Sequence, residues 1–336
     1  MTALLELHGV AKRFVRRPSL AERLAGLVGG GARTETVRAV DGVTLAVARG
    51  EVVGLVGESG CGKSTLGRIA AGLLAPTHGS ARLEGEPVAT QQGSRVVKRT
   101  TAVQMIFQDP FSSLNPRMRV ADAIAEGPVA HGLATRAGAA GLVADVLGRV
   151  GLDPALGARY PHQFSGGQRA RVGIARALAM DPKLVVADEA VAALDVSIQA
   201  QVLNTFLALR RDLDLALLFI SHDLGVVGHL ADRVAIMYLG RIVEIGPVVE
   251  VFAAPAHPYT LGLIEAVPRL DRRRASFRPV RGEIPSPLDP PSGCAFHPRC
   301  PHTMERCRHQ RPLLRTVAPG RLAACHLHGE GSAPAG

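Results

Sequence analysis

Short apolar runs alternate along this chain with segments of helical spacing. Each run has the length of one buried strand, and the segments between them repeat apolar residues three and four positions apart, as in residues 66–74 and 198–209. The runs are residues 52–56, 103–107, 184–187 and 217–220. Strands and helices in alternation predict an α/β fold, in which a mostly parallel sheet carries helices on both faces.

Other stretches predict smaller subdomains around this sheet. Residues 4–14 alternate loosely and predict an edge strand, and residues 40–47 predict a second strand that leads into the first apolar run. Residues 234–237 and 242–245 predict a hairpin. Residues 112–180 are rich in Ala, Gly and Arg with helical spacing, so they predict a helical subdomain.

The turn after the first apolar run fits the pattern G-x-x-x-x-G-K-[ST]. Its glycines let backbone N–H groups face phosphate oxygens, and the helix that follows adds its positive N-terminal end. Lys63 is expected to reach the β- and γ-phosphates, and Ser64 to hold Mg²⁺. The alternative is a glycine-rich turn that happens to carry a lysine, but a strand and a helix flank this turn as the motif requires. We predict a nucleoside triphosphate site formed by Gly57, Ser59, Gly60, Cys61, Gly62, Lys63, Ser64 and Thr65.

Polar residues follow the other apolar runs at the end where parallel sheets bind their ligands. Asp188 is expected to hold Mg²⁺ and Glu189 to polarise the attacking water. Gln108 is expected to ligate Mg²⁺ or the water, and His222 to contact the γ-phosphate or to steady Glu189. Taken singly, each has a plainer interpretation: acids favoured at a helix N-terminus, a surface glutamine and a structural histidine.

A second glycine-rich segment lies between the phosphate loop and the acidic pair. Ser165 and Gln168 predict a capping box at the start of a helix that stops before Pro182. A glycine-rich helix N-terminus of this kind also suits a γ-phosphate.

In order and approximate spacing, these motifs resemble those of an ATP-binding cassette (ABC) ATPase. The resemblance implies a head-to-tail dimer in which this second segment completes the ATP site of the partner subunit. The residues that it assigns to that role are Ser165, Gly166, Gly167 and Gln168. It also implies that Phe14 stacks on adenine and that Asp195 couples the two sites.

Five further segments narrow the resemblance to the ATPases of oligopeptide and dipeptide importers. They are residues 107–116, 194–204, 257–260, 285–287 and 293–301. Gln168 and residues 191–194 resemble the second, F-type, of the two ATPase subunits of such importers. The family usually has Pro where this chain has Ala190, and Ser where it has Ala192. The resemblance implies a peripheral protein on the cytoplasmic face of a bacterial membrane. Its partners would be two permease subunits, a second ATPase subunit and, indirectly, an extracytoplasmic peptide-binding protein. Residues 1–265 would form the nucleotide-binding domain, and residues 266–336 a C-terminal extension.

Composition adds a basic C-terminal region to this picture. The chain has 336 residues and a formal net charge of +10, and from Pro268 onward twelve Arg stand against five Asp and Glu. Such a region meets nucleic acid, anionic lipid or an acidic partner, or is simply a solvated surface. Aromatic residues are only 4% and Trp is absent, which disfavours stacking on nucleic acid, so no nucleic-acid partner is expected. No apolar run reaches the length of a membrane span, and charges near the N-terminus disfavour a signal peptide, so a cytosolic location is expected.

Four of the five cysteines lie in the extension, namely Cys294, Cys300, Cys307 and Cys325. Disulfides are disfavoured in a cytosolic chain, and the paired spacings typical of zinc sites are missing. Iron–sulfur ligation tolerates wider spacing, and the resemblance implies a [4Fe–4S] cluster on these four residues. Zinc and free thiols remain the alternatives.

Three other functions compete with a peptide importer. A soluble cassette ATPase of DNA repair or translation generally has tandem cassettes, coiled-coil arms or zinc inserts, and this chain shows one cassette and no heptad run. An importer of nickel or glycosides would share the same ATPase chemistry. A non-hydrolysing regulatory subunit is disfavoured because Glu189 and His222 are both present.

Overall fold

The computed structural model describes residues 3–16, 35–93, 95–108, 114–192, 194–267 and 282–328. Parts of the segments that carry the narrower resemblance, at residues 109–113 and 193, lie outside the described residues. The same is true of much of the arginine-rich start of the extension.

Strands form a central sheet, an antiparallel sheet and a small hairpin. Their bounds are β1 Ala3–Arg16, β2 Glu35–Ala48, β3 Val52–Val56, β4 His78–Leu83, β5 Glu86–Pro87, β6 Ala89–Gln92, β7 Arg95–Lys98, β8 Val103–Ile106, β9 Leu184–Asp188, β10 Ala216–Ser221, β11 Arg233–Tyr238, β12 Arg241–Pro247, β13 Arg315–Ala318 and β14 Arg321–Ala323.

Helices connect and cover these strands. Their bounds are α1 Lys63–Ala70, α2 Val120–Ala130, α3 Ala139–Arg149, α4 Gly166–Leu178, α5 Val196–Leu213, α6 Leu224–Leu230, α7 Val248–Ala253, α8 Pro258–Glu265 and α9 Glu305–His309. Short 3₁₀ turns occupy Pro154–Ala158, Pro161–Gln163 and His297–Arg299.

The central sheet has the order β13-β14-β12-β11-β3-β10-β9-β8, and its strands from β11 to β8 are parallel. Strand β10 shows how both faces are covered. Leu217 and Phe219 pack into the core on the side of the helical region, whereas Leu218 and Ile220 pack into the core shared with α1 and the antiparallel sheet. Because successive side chains point to opposite faces, a continuously apolar run feeds both cores. The predicted α/β class, with its antiparallel and helical subdomains, is confirmed.

The prediction that residues 4–14 form an edge strand is wrong. Strand β1 pairs antiparallel with β2 on one side and with β4 on the other, within a sheet of order β2-β1-β4-β5. Alternation in the sequence reports that one face of a strand is buried. It contains no information on whether one or two neighbouring strands share its backbone hydrogen bonds.

The C-terminal extension continues the central sheet. Strand β14 pairs with β12 through Glu244 opposite Ala323 and Ile245 opposite Leu322, and β13 pairs with β14. The side chain of Arg321 on β14 also reaches the fully buried carboxylate of Glu244, at 3.2 Å. The division at residues 265 and 266 stays a prediction, as do the bounds of the helical subdomain at 112–180.

None of the helices in the described residues combines the length and the hydropathy that a membrane-spanning segment needs.

Candidate nucleotide-hydrolysis site

The phosphate loop joins β3 to α1 and requires glycine where the chain passes closest to its neighbours. A Cβ atom at Gly57 would lie 2.2 Å from the Met237 carbonyl oxygen. One at Gly62, whose φ is +108°, would lie 2.0 Å from the Ala39 carbonyl oxygen. Only glycine fits this backbone, and the result is a tight curve that ends at the N-terminus of α1.

Lys63 is buried and turned back along the inside of this loop. Its Nζ donates to the carbonyl oxygens of Gly57, at 2.7 Å, and of Glu58, at 3.0 Å. The ammonium group therefore lies where backbone N–H groups and a helix N-terminus already favour an anion. Ser59 and Gly60, at the tip of the loop, are exposed. The loop presents a concentrated positive surface that suits phosphate.

Ser64 and Asp188 form the candidate magnesium site. The Ser64 hydroxyl donates to Asp188 Oδ1 at 2.9 Å, although the two residues are 124 positions apart in the chain. Burial raises the pKa of Asp188 above its ordinary value, while the hydrogen bond from Ser64 opposes that shift. A hydroxyl and a buried carboxylate are hard oxygen donors of the kind that Mg²⁺ prefers, so this pair fits the ion.

Glu189 lies where the three predicted catalytic residues meet. Its carboxylate accepts a hydrogen bond from Gln108 Nε2 at 2.7 Å, and its other oxygen is 3.5 Å from His222 Nδ1. The backbone of Glu189 has a φ of +49°, and its N–H donates to the Ile220 carbonyl. A left-handed backbone is unusual for a residue other than glycine and is often found at functional sites. The side chains of Gln108 and His222 thus fix the direction of a carboxylate that could polarise a water molecule.

The glycine-rich segment before α4 has the predicted capping box. The Ser165 hydroxyl accepts from the Gln168 N–H at 3.3 Å, and Gln168 Oε1 accepts from the Ser165 N–H at 3.0 Å. Gly167 is needed for packing, because a Cβ there would lie 2.3 Å from Ile198 Cγ2. Helix α4 packs on α2, α3, α5 and β8. Completion of a partner's site by Ser165, Gly166, Gly167 and Gln168 stays a prediction.

Phe14 and Asp195 are both exposed. Phe14 is 44% exposed, and the Lys12 ammonium lies over its ring, 5.5 Å from the ring centroid. Asp195 occupies the N-cap position of α5, where its backbone carbonyl accepts from Gln199. Their predicted roles at adenine and between two sites are consistent with this exposure and stay predictions.

The four cysteines of the extension influence one another. Burial and, to a smaller extent, nearby Cys307, Cys325 and Cys300 together raise the pKa of Cys294 to about 11. Three of the sulfur atoms each accept an N–H from the residue two positions later: Cys294 from Phe296, Cys300 from His302 and Cys325 from Leu327. These donors oppose the effect of burial, but the pKa of each of the three thiols stays above its ordinary value. Within the described part of the chain, no group of three or more His, Cys, Asp or Glu is arranged to hold a metal ion. The [4Fe–4S] cluster therefore stays a prediction.

Two contacts of the phosphate loop were not predicted from the sequence. The Glu58 N–H donates to Tyr259 Oη at 2.9 Å, and the Glu58 carboxylate is bound by both terminal nitrogens of Arg299. Tyr259 belongs to residues 257–260, which carried part of the narrower resemblance without an assigned role. Arg299 lies beside Cys300, but it is 241 positions from Glu58 and no local pattern joins the two.

Fold and site together define a phosphate-loop ATPase of the ABC class. Residues 40–192 match the ABC transporter family, and residues 243–307 match the C-terminal region of oligopeptide/dipeptide transporters. Among solved structures, the chain is similar to cbiO1 from Clostridium perfringens, part of the ABC transporter complex cbiONQ. That similarity has a TM-score of 0.60 and 25% identity, and covers 81% of this chain and 97% of that one.

Curated relatives match this chain over most of its length and over most of their own. One is a probable peptide ABC transporter ATP-binding protein of Sinorhizobium fredii, 50% identical over 298 residues, or 88% of this chain and 84% of that protein. Another is the oligopeptide transport ATP-binding protein AppF of Bacillus subtilis, 46% identical over 330 residues, or 97% of each chain. The chain therefore belongs to the family of ABC transporter ATP-binding proteins.

Proposed function

We propose that this protein is the ATP-hydrolysing subunit of an ABC importer of oligopeptides or dipeptides, and that it acts on the cytoplasmic face of a bacterial membrane. The observation that carries the ATPase is the position of Glu189, held by Gln108 and His222 at the same sheet edge as the Ser64–Asp188 pair. The peptide cargo rests on the names of the relatives and on the match to residues 243–307.

Each group in the site has a step in the reaction. Lys63 leaves the loop carbonyls to bind the β- and γ-phosphates, which compensate its charge better than neutral dipoles do. Ser64 and Asp188 would hold Mg²⁺, whose chemistry is to neutralise charge on the transferring phosphoryl group. Glu189 orients the attacking water and accepts its proton. His222 fixes the second carboxylate oxygen and stays close enough to meet the γ-phosphate.

Hydrolysis needs a second ATPase subunit. In a head-to-tail dimer, the N-terminus of α4 would bind the γ-phosphate held by the partner, with Ser165 and the N–H of Gly167 as donors. Asp195, exposed at the start of α5, would pass the state of one site to the other. Phe14 would stack on adenine at the outer side of the site.

A groove beside Gln108 is the proposed contact with the permease subunits. It has a volume of about 450 Å³ and lies between the end of β8 and helices α2 and α4. Its lining includes Met105, Ile124 and Met180, and Phe107 is 41% exposed at its edge. The lining also includes Lys98, Arg99 and Arg176, so the groove offers both apolar and basic side chains to a short amphipathic helix. Gln108 donates a hydrogen bond to Glu189 and directly follows Phe107 in the chain. A change in the position of Glu189 would therefore reach the groove through Gln108.

For the extension, we propose that Cys294, Cys300, Cys307 and Cys325 hold a [4Fe–4S] cluster. The backbone contact between Cys294 and Cys307 supports the proposal, because the Cys294 N–H donates to the Cys307 carbonyl at 2.8 Å and so brings two of the four cysteines together. A cluster at this position would hold together a segment with little apolar core of its own. Anaerobic purification should give a brown protein that absorbs near ~400 nm. A colourless protein with one bound zinc ion would show a zinc site instead of the cluster. A colourless protein with four titratable thiols would show that the cysteines are free.

The ATPase proposal is tested by purifying the tagged Glu189→Gln variant from native membranes with ATP and Mg²⁺. The amide keeps the shape of the side chain but accepts no proton, so hydrolysis should fall at least about a hundredfold while ATP binding persists. The variant should be recovered as an ATP-bound dimer with two permeases and a second ATPase.

Glu250→Gln, a change of the same chemistry at an exposed position, is the matched control and should hydrolyse ATP normally. Normal turnover in Glu189→Gln would remove Glu189 from catalysis. Recovery of ribosomes or nucleic acid would overturn the transport function. If the variant is recovered with a nickel- or glycoside-binding protein, the ATPase function stands and only the peptide cargo is wrong.

A further inference from the structure

The C-terminal extension of this chain contacts the phosphate loop through an ion pair between Arg299 and Glu58. Arg299 Nη1 donates to Glu58 Oε2 at 2.7 Å, and Arg299 Nη2 donates to Glu58 Oε1 at 2.9 Å. This is the two-pronged pairing that matches a guanidinium to a carboxylate with the least freedom of orientation. Glu58 is the residue directly after Gly57 in the loop, so the contact acts on the nucleotide site itself.

The arginine of this ion pair is buried, whereas the Glu58 side chain is 24% exposed. The Arg299 side chain is 4% exposed, and its guanidinium carbon lies 5.8 Å from the ring centroid of Tyr238 and 5.9 Å from that of Phe296. The paired carboxylate raises the pKa of Arg299, which stays charged at every pH in which the protein folds. A buried guanidinium without its carboxylate would be strongly unfavourable, so the two groups stay together.

The fold of the extension determines the position of Arg299. It ends the 3₁₀ turn His297–Arg299, which follows the buried Phe296. The Thr303 hydroxyl donates to the carbonyl of His297 at 2.6 Å, and the Cys294 N–H donates to the carbonyl of Cys307 at 2.8 Å. These bonds brace the turn on both sides, which makes Arg299 a rigid support.

Glu58 is held at three points. Its carboxylate binds Arg299, its N–H donates to Tyr259 Oη, and its carbonyl accepts from Lys63 Nζ. The direction of that carbonyl sets where the Lys63 ammonium lies when the loop awaits phosphate. A shift of Glu58 would therefore change both the curve of the loop and the position of its lysine.

We propose that Arg299 is a positioning residue for nucleotide binding, through which the extension holds the phosphate loop of its own chain in the conformation that receives ATP. The inference rests on the nucleotide site proposed above. Without the pair, the loop has more conformations to lose when ATP binds, and affinity falls. The rate of the chemical step depends on Glu189 and its neighbours, which do not contact Arg299, so that rate is unchanged.

The test is a double-mutant cycle with Arg299→Gln, Glu58→Gln and the double variant in the full-length chain. ATP affinity is measured with a fluorescent ATP analogue, and KM and kcat are measured separately. Each single change should weaken ATP binding roughly tenfold with kcat within about twofold, and the double variant should be no worse than either one. Arg299→Lys, which keeps the charge but loses the fork, should be intermediate.

Arg308→Gln is the matched control, because it removes an exposed arginine from the same extension. It should bind ATP as the wild type does. Equal affinity in wild type, Arg299→Gln and Glu58→Gln would overturn the inference while leaving the ATPase intact. Fully additive losses would also overturn it. If Arg299→Gln fails to fold, as judged by circular dichroism, the ATP affinity of Glu58→Gln alone tests the inference. A wild type that binds no ATP would instead refute the proposed function.

Discussion

Truncation of Phe296 to alanine should loosen the extension from the nucleotide-binding core. The side chain is 2% exposed and fills the contact between the two. Its ring centroid lies 5.3 Å from that of Tyr238 in an edge-to-face pair, 5.5 Å from that of Tyr259 and 5.6 Å from that of His257. These three residues belong to β11, to α8 and to the N-cap of α8, so one ring joins the extension to two elements of the core.

The size of the effect follows from burial. Replacement of a buried Phe by Ala costs about 3–5 kcal/mol, through lost transfer free energy and the cavity left behind. Each favourable aromatic pair adds about 0.5–1.5 kcal/mol beyond burial, so a site with three ring neighbours belongs in the upper half of that range. A free energy of about 4 kcal/mol is a large share of the roughly 5–15 kcal/mol that holds a typical domain together.

Hydrogen exchange measured by mass spectrometry is the assay, because it locates the loss. Peptides from residues 282–328 should exchange about 100-fold faster or more, since 1.4 kcal/mol is a factor of ten. Peptides from β9 and β10 should change little. Leu313→Ala removes an exposed side chain of the extension and should leave exchange unchanged. Unchanged exchange in Phe296→Ala, or an equal increase in β9 and β10, would refute the view that this ring fastens the extension.

Two further predictions concern stability against pH and the shape of the loop. Burial lowers the pKa of His257 from 6.5 to about 3, so between these values the unfolded chain binds a proton that the native chain does not, and stability falls as pH decreases through that window by about 1.4 kcal/mol per unit of pH. His257→Asn keeps an acceptor for the Tyr259 N–H. The free energy of unfolding of this variant, measured in urea, should vary less with pH between 6.5 and 4 than that of the wild type. An equal pH dependence in the two proteins would contradict the lowered pKa of His257. Gly62→Ala should weaken ATP binding by about 1–3 kcal/mol, roughly 5- to 150-fold, because its Cβ meets the Ala39 carbonyl. Gly60→Ala has a similar positive φ but open space around it, so calorimetry should show a smaller loss; an equal loss would mean that strain alone, and not the clash, is responsible.

The closeness of Ser64 to Asp188, and of Gln108 to Glu189, could be anticipated from the sequence because of a rule of topology. Ser64 and Asp188, and likewise Gln108 and Glu189, are far apart in the chain, yet each follows a short apolar run. Neighbouring parallel strands place their carboxyl ends at one edge, so the run that precedes a residue is enough to locate it. The prediction of an edge strand for β1 failed because it rested on alternation alone, and alternation does not report that β4 is a second neighbour of β1.

By itself, the sequence determined every feature that local spacing encodes: the phosphate loop, the capping box at Ser165, the alternation of strand and helix, and the family. Tertiary structure alone decided how the extension meets the core. Arg299 and Glu58 pair across 241 positions, and the rings that surround Arg299 come from separate elements. Two side chains pair when the fold brings them close together in space, whereas a periodic sequence pattern reports only whether a residue is buried. The contact that links extension to nucleotide site therefore appears only once the chain is folded.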